Sequence, residues 1–353
     1  SLTTKGYKIY SNNNKRLNKN ITHLEWNKDD AEKGKFKTFM EKEIFEQPES
    51  LRNSLRGRLQ LKTGQAKLGG LECAKKQLIR TDRLLILACG TSYHAGLFGQ
   101  YLFESKAHLP TALEFASEWR YREPVLKRRT TVLAISQSGE TADTLAAVRK
   151  AKEAKLLTLG LVNVVGSSIA RETEAGVYNH AGPEIGVAST KAFTSQIAIL
   201  SLMALFLGRE RNILTRKEGK ILATALQAIP GQIETILKQA PTIRKIAEKY
   251  RRAGNFLYLG RGISYPAALE GALKLKEISY IHAEAGPGGE MKHGSLALID
   301  KNFPAVFILP KDNVYEKSLA NLEEIKARGG PVIAVATAED KRVQTLADDV
   351  FFI

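Results

Sequence analysis

Short apolar runs recur along this chain, each closed by a cluster of Gly, Ser or Thr and followed by a segment with apolar residues at helical spacing. Residues 84–88 end at Cys89-Gly90-Thr91-Ser92-Tyr93 and lead to a helix expected over about 95–105. Residues 131–135 end at Ser136-Gln137-Ser138-Gly139-Glu140-Thr141 before a helix reaching Ala154, and residues 156–162 lead to Val165-Gly166-Ser167-Ser168. Runs of this length without polar alternation are buried strands, and their alternation with helices predicts a parallel sheet covered on both faces. The pattern then returns. Leu259-Gly260-Arg261-Gly262-Ile263-Ser264-Tyr265 repeats the G-x-S-Y of the first turn, and residues 305–309 and 331–336 mirror the second and third strands of the first half. Two copies of one α/β unit account for 353 residues better than one large domain.

Around these units the pattern is helical. Residues 36–58 read as a helix interrupted by Pro48, with helical character continuing through Leu78. Residues 192–207 are apolar almost all round and are expected to be buried, with a partner subunit as one candidate cover. Residues 211–253, charged and broken by Pro230-Gly231 and Pro241, are expected to connect the units. The polar, basic start of the chain carries a short strand and turn, Gly6-Tyr7-Lys8-Ile9-Tyr10 followed by Ser11-Asn12-Asn13-Asn14-Lys15.

In the second unit an apolar run at residues 256–259 crosses Gly260 and Gly262 before Pro266 opens a helix. Glu270, Lys274 and Glu277 follow at spacings of four and three, which stack them on one stripe of an otherwise apolar helix. Such a stripe either faces a cavity or forms ordinary surface ion pairs, each worth about 0.2–0.5 kcal/mol. A Gly-rich loop, Gly286-Pro287-Gly288-Gly289-Glu290, then delivers Lys292-His293-Gly294. Carboxylates, a lysine and a histidine brought together suit proton transfer beside a carbonyl.

Charge and cysteine usage narrow the classes. The formal net charge of +16 raises the question of nucleic acid, yet Lys and Arg are spread without an aromatic-interleaved stripe or a recognisable motif, so nucleic acid is not an expected partner. No uninterrupted apolar run approaches the roughly 18 residues of a membrane-spanning helix, and Cys73 and Cys89 form no CxxC pair. The expectation is a cytoplasmic protein with no membrane contact, no metal and no cofactor.

The turn Ser136 to Thr141 offers three hydroxyls, an amide and several backbone N–H groups at a helix N-terminus, a candidate phosphate cradle. The GxxxxGK[ST] pattern of a nucleotide triphosphate site is missing, so a monophosphorylated small molecule fits better. Ordinary N-capping would explain one of these hydroxyls but not the cluster. Thr91 and Ser92 form a second, smaller cradle, and Glu184-Ile185-Gly186-Val187-Ala188-Ser189-Thr190-Lys191 is a further loop feeding a helix.

These stretches resemble the isomerase portion of the glutamine:fructose-6-phosphate aminotransferases, which consists of two sugar isomerase (SIS) domains. The resemblance is carried by CGTSY at 89–93, SQSGET at 136–141, EIGVASTKAF at 184–193, ALEGALKLKEISYIHAEA at 268–285 and KHG at 292–294. It extends from about Trp26, through FMEKEIFEQP at 39–48, to the end of the chain. It implies two tandem SIS domains, each a parallel sheet flanked by helices, at 75–213 and 247–353. Linker helices at 38–74, connecting helices at 214–246 and a remnant of an upstream glutaminase domain at 1–37 complete the expected division.

The implied reaction converts fructose 6-phosphate to glucosamine 6-phosphate with glutamine-derived ammonia, the first step toward UDP-N-acetylglucosamine. By the same resemblance, Glu277 is the base that moves a proton between C1 and C2, with Lys274 assisting. His293, supplied across a homodimer interface, opens the ring, and Glu270 serves the acid-base steps at the ring oxygen. Ser92, Ser136, Gln137, Ser138 and Thr141 hold the phosphate, while Thr91, Val187 and Ser189 contact the sugar. A glutaminase domain with its cysteine nucleophile, and a tail with an imine-forming lysine, are expected outside this chain, so glutaminase activity is not expected of the chain alone. Gly286-Pro287-Gly288-Gly289 and Ser295 depart from the family's usual residues, which predicts a looser His293 loop. A non-catalytic sugar-phosphate sensor would need the cradle without Glu277 and His293. An isomerase or deglycase independent of glutamine would have no use for the linker motif.

Overall fold

Each buried apolar run becomes a strand, and the strands fall into two five-stranded sheets in the computed structural model, which describes residues 1–4, 6–18 and 32–353. The first sheet contains β1 (Arg83–Ala88), β2 (Thr111–Phe115), β3 (Thr130–Ser136), β4 (Leu157–Val162) and β5 (Ala175–Tyr178) in the order β2-β1-β3-β4-β5, all parallel. The second contains β6 (Asn255–Gly260), β7 (His282–Pro287), β8 (Ala305–Leu309), β9 (Val332–Ala336) and β10 (Asp349–Phe352) in the order β7-β6-β8-β9-β10, again all parallel. The internal repeat therefore extends to topology. Every residue of β3 is buried, as a run without alternation requires. β2 and β5 escaped the sequence reading because they are edge strands, half-buried and without a continuous apolar run. The loop expected at 286–290 starts later than its glycines suggest, since β7 continues through Gly286 and Pro287; an edge position tolerates proline, which has no N–H to give.

The helices depart from expectation in instructive places. Pro48 does not interrupt one helix but sits in the first turn of a second, so α1 (Phe39–Phe45) and α2 (Gln47–Leu55) meet at Glu46. The helical stretch expected to Leu78 is instead a hairpin pairing Leu59–Gln60 with Gln65–Ala66, a 3₁₀ turn at Gly69–Ala74 and the short α3 (Lys75–Ile79). Gly57 and Gly64, both at positive φ, break the helical path. α4 (Gly90–Ala107) begins immediately after Cys89, which moves Thr91 and Ser92 from a loop onto a first helical turn. Short α5 (Ala116–Trp119), then α6 (Ala142–Glu153) and α7 (Ser168–Glu172), flank the sheet.

α8 (Lys191–Glu210) is buried along nearly its whole length by α4, α2 and α9 (Arg216–Leu237) of the same chain. Its apolar surface thus needs no partner subunit, contrary to one of the expected arrangements. Although long and apolar enough to cross a membrane by composition, it is a core helix here. α9 runs through Pro230 rather than breaking there, held at its start by a capping box between Thr215 and Glu218, and its packing on α2 makes it part of the first unit. Pro241 does mark a boundary, opening α10 (Ala240–Tyr250), which packs on β10. α11 (Tyr265–Ser279) follows a single 3₁₀ turn after β6, and α12 (Tyr315–Ala327) and α13 (Lys341–Leu346) complete the second unit. Near the start of the chain, Ile9–Tyr10 pairs with Arg16–Leu17 across the expected turn; residues 19–31 of the expected glutaminase remnant lie outside the described residues.

The first core joins Ile86, Leu133 and Ile135 of the sheet to Phe103 of α4 and Ile199 and Leu200 of α8. The second joins Leu257, Phe307 and Val332 to Leu322 and Ile325 of α12. Leu200 is fully buried, so Leu200→Ala is expected to destabilise the first unit by about 2–5 kcal/mol. Thermal unfolding followed by circular dichroism checks this, and an unshifted midpoint would mean that α8 is not the core helix described.

Candidate functional site

The chain changes direction across each sheet between the strand that starts it and its third strand. In the first sheet that point lies between β1 and β3, whose C-terminal ends carry Cys89-Gly90-Thr91-Ser92 and the Ser136 to Thr141 turn side by side. Ligands of open α/β sheets bind in this crevice. Ser136 is buried; its Oγ accepts the Gly139 N–H at 3.0 Å and lies 2.9 Å from the Thr141 hydroxyl. Ser138 Oγ accepts the Glu140 N–H at 3.1 Å. Thr141 is the N-cap of α6 by position, yet its hydroxyl makes no capping bond, so capping alone does not account for the cluster. Gly139 has φ +66°, and a Cβ there would lie 2.0 Å from the buried Ser167 Oγ, which explains a glycine in the turn. Hydrogen bonds from the Ser168 side chain and backbone hold the Glu140 carboxyl below its usual range and engage it with Ser168. The outcome is a self-bonded turn of hydroxyls and N–H groups at a helix N-terminus, suited to an anion.

The second unit supplies the titratable groups. α11 lies against α4, and Glu270, 6% exposed, meets three partners there. Its Oε1 accepts the Thr91 hydroxyl at 2.9 Å and lies 3.2 Å from Lys274 Nζ; its Oε2 lies 2.7 Å from His94 Nδ1. Lys274 also donates to Thr91 Oγ1 at 3.1 Å and pairs with Glu277 at 2.6 Å. The i,i+4 and i,i+3 ion pairs of the bland reading therefore exist, but they run from a buried carboxylate at one end to an exposed one at the other. His94 was missed by sequence reasoning. Its signal was its place three residues after Thr91, visible only once α4 is known to start at Gly90.

The 184–190 loop reaches the same edge of the first sheet. Asn163, which follows β4, donates its backbone N–H to Gln137 O and its side-chain amide to Gly182 O, tying the segment just before the loop to the cradle. Gln196 of α8, 1% exposed, donates to Ser92 Oγ at 3.0 Å, a second contact not anticipated. Within the loop Val187 is fully exposed and Ser189 half-buried. His293 is not brought to the cluster: it lies in a 3₁₀ turn, Met291–His293, and is exposed, with its backbone N–H bonded to Glu290 O. Among the described residues no group of three or more His, Cys, Asp or Glu is placed to hold a metal ion.

With this geometry in place, the comparisons become specific. The profile of the SIS domain family matches residues 77–206 and 249–353. A glutamine–fructose-6-phosphate aminotransferase (isomerizing) of Chlorobaculum tepidum is 49% identical over 352 residues, covering 100% of this chain and 57% of that protein. Its counterpart in Thermus thermophilus is 47% identical over 352 residues and is covered to 58%. The chain thus spans less than three-fifths of the length of these relatives. Among solved structures, the C-terminal domain of glucosamine-fructose-6-phosphate aminotransferase from Francisella tularensis superimposes with a TM-score of 0.86 at 42% identity, over 91% of this chain and 90% of that one.

The buried carboxylate offers a direct test of the seam between the units. Glu270→Leu leaves Thr91 and His94 without their acceptor and is expected to cost about 3 kcal/mol, whereas Glu277→Leu at the exposed end should cost under about 1 kcal/mol. Urea denaturation of the two variants distinguishes them; equal midpoints would mean that the Glu270 contacts carry no more weight than a surface pair.

Proposed function

This chain belongs to the SIS domain family, alongside the C-terminal domain of glucosamine-fructose-6-phosphate aminotransferase, and on that premise we propose that it binds fructose 6-phosphate and converts it to glucosamine 6-phosphate. One observation carries the reading: Glu270 and Lys274 of the second unit meet Thr91 of the first beside a cradle of hydroxyls. Binding and proton transfer are thereby assigned to different units facing one crevice.

In this reading Ser136, Ser138, Thr141 and Ser92 hold the phosphate, with Gln137 at the turn and the α6 N-terminus favouring the anion. Gln196 supports the role of Ser92: by donating to its oxygen, the amide leaves the Ser92 O–H free to point at the ligand. Thr91, Val187 and Ser189 contact the sugar. Glu277, at the exposed end of the stripe, is the base that carries a proton between C1 and C2 of the imine, and Lys274, 2.6 Å away, holds it in place as a cation between two carboxylates. Glu270, held by three partners, works at the ring oxygen. His293 is exposed and outside its own chain's cluster, which supports its delivery to the crevice of a second copy in a homodimer. The nitrogen comes from glutamine, the donor that the relatives' names print, and a glutaminase domain that releases it and a cytoplasmic location complete the reading.

Calorimetry tests the cradle. Fructose 6-phosphate should bind and fructose should not, and Ser138→Ala should weaken binding by about 1–3 kcal/mol if its hydroxyl meets a charged phosphate. Equal affinity for the two sugars would sink the reading. For catalysis, with the flanking segments of the relatives appended, Glu277→Gln should lower kcat far more than it changes KM, because a proton-transfer base acts mainly in the transition state. Sedimentation at micromolar concentration should return a dimer; a clean monomer would return His293 to its own chain and remove its assigned role.

A further inference from the structure

We propose that Glu43 is a positioning residue, whose carboxylate on α1 latches the 184–190 loop and so sets the sugar side of the crevice; this rests on the substrate reading above. The linker motif FMEKEIFEQP has a physical task in the structure. Glu43 is 2% exposed, and a single oxygen, Oε1, accepts both the Ile185 N–H at 2.6 Å and the Gly186 N–H at 2.9 Å. The other oxygen has no hydrogen-bond partner, and a Cβ on Gly186 would come within 2.5 Å of it. A side chain at 186 would have to displace that oxygen. Burial pushes the Glu43 carboxyl above its usual range, and the two backbone donors offset that only in part. The two loop N–H groups need an oxygen acceptor at this place, which an amide oxygen also supplies.

A second grip lies one helical turn on. Lys191, 4% exposed, pairs with Glu46 at 2.7 Å, and Ser195 meets Ser50 at 2.7 Å, so the end of the loop and the start of α8 are held to the same linker helices. Glu184 closes the loop on itself, its Oε1 accepting the N–H groups of Thr190 at 2.8 Å and Ala192 at 3.0 Å. The base of the loop is fastened at both ends, and Val187 and Ser189 project between the fastenings. The hydroxyls of Ser136 and Ser138, by contrast, are bonded within their own turn. A displacement of α1 therefore reaches the sugar contacts at Val187 and Ser189 more directly than the hydroxyls of the phosphate cradle.

The test uses Glu43→Ala, Glu43→Gln and Gly186→Ala, read by amide hydrogen exchange at Ile185 and Gly186 and by calorimetry with fructose 6-phosphate and with inorganic phosphate. Glu43→Ala is expected to speed exchange and to weaken fructose 6-phosphate binding by about tenfold, the scale of losing one to two hydrogen bonds, with inorganic phosphate unaffected. Glu43→Gln keeps an oxygen in the acceptor position and should restore both readouts to within about twofold. Gly186→Ala, which crowds the latch from the other side, should behave like Glu43→Ala. Unchanged exchange in both Glu43→Ala and Gly186→Ala would overturn the latch, as would faster exchange with sugar-phosphate affinity unaltered. Unmodified protein that ignores fructose 6-phosphate overturns the substrate reading instead, and the exchange measurement still decides the latch.

Discussion

A carboxylate cannot be buried without partners, and Glu270 finds two of its three, Thr91 and His94, on a different α/β unit from its own. Leaving such a group unpaired would cost several kcal/mol, so the first turn of α4 and the middle of α11 are constrained to lie together. That constraint places Thr91, in the first turn of α4, against Lys274, which precedes Glu277 on the stripe. The crevice at the end of the first sheet thereby acquires a lysine and two carboxylates from the second unit beside its own His94. Removing the pairing would leave a cradle without chemistry on one side and a charged helix without a ligand on the other.

The two units share a strand order but have divided the labour. The first keeps hydroxyls at the end of its third strand, in Ser136 to Thr141. The second has Pro310-Lys311-Asp312-Asn313 there, without a hydroxyl among them. At the preceding turn Cys89 of the first unit corresponds to Arg261 of the second, whose guanidinium is committed to Asn321 at 2.9 Å and packs against Gly288 and Gly289. The same topology thus presents a turn of hydroxyls suited to an anion once and a structural junction once. What the second unit contributes to the crevice is the helix that follows its first strand, and the repeat is functional through its asymmetry.

Around the crevice the supporting contacts are long in sequence and short in space. Ser92 is reached by Gln196, Ser50 by Ser195, and the 184–190 loop by Glu43, all through the environment of α8. α8 is therefore more than a hydrophobic core helix: its buried polar residues at the N-terminal end connect the linker helices to the cradle, while its apolar remainder fills the first core. A buried polar group that is satisfied by one specific neighbour holds geometry more tightly than an apolar contact of equal area, because moving it exposes an unmet hydrogen bond.

The sequence alone determined what depends on near neighbours. Unalternating apolar runs had to be central strands, the Ser136 to Thr141 cluster had to sit at a helix start, and Glu270, Lys274 and Glu277 had to share a helical face, since each follows from spacing within a few residues. The repeat of G-x-S-Y foretold two units of one topology for the same reason. Only the tertiary structure decided that Glu270 is buried while Glu277 is exposed, that His94 and Gln196 join the site, and that α8 is covered by its own chain. It also decided that Pro230 stays inside α9 and that β2 and β5 complete a sheet whose edges carry no continuous apolar signal. Each of these rests on contacts between segments far apart along the chain, such as the 176 positions separating His94 from Glu270, and no local pattern of hydrophobic and polar residues encodes which distant face will provide the partner.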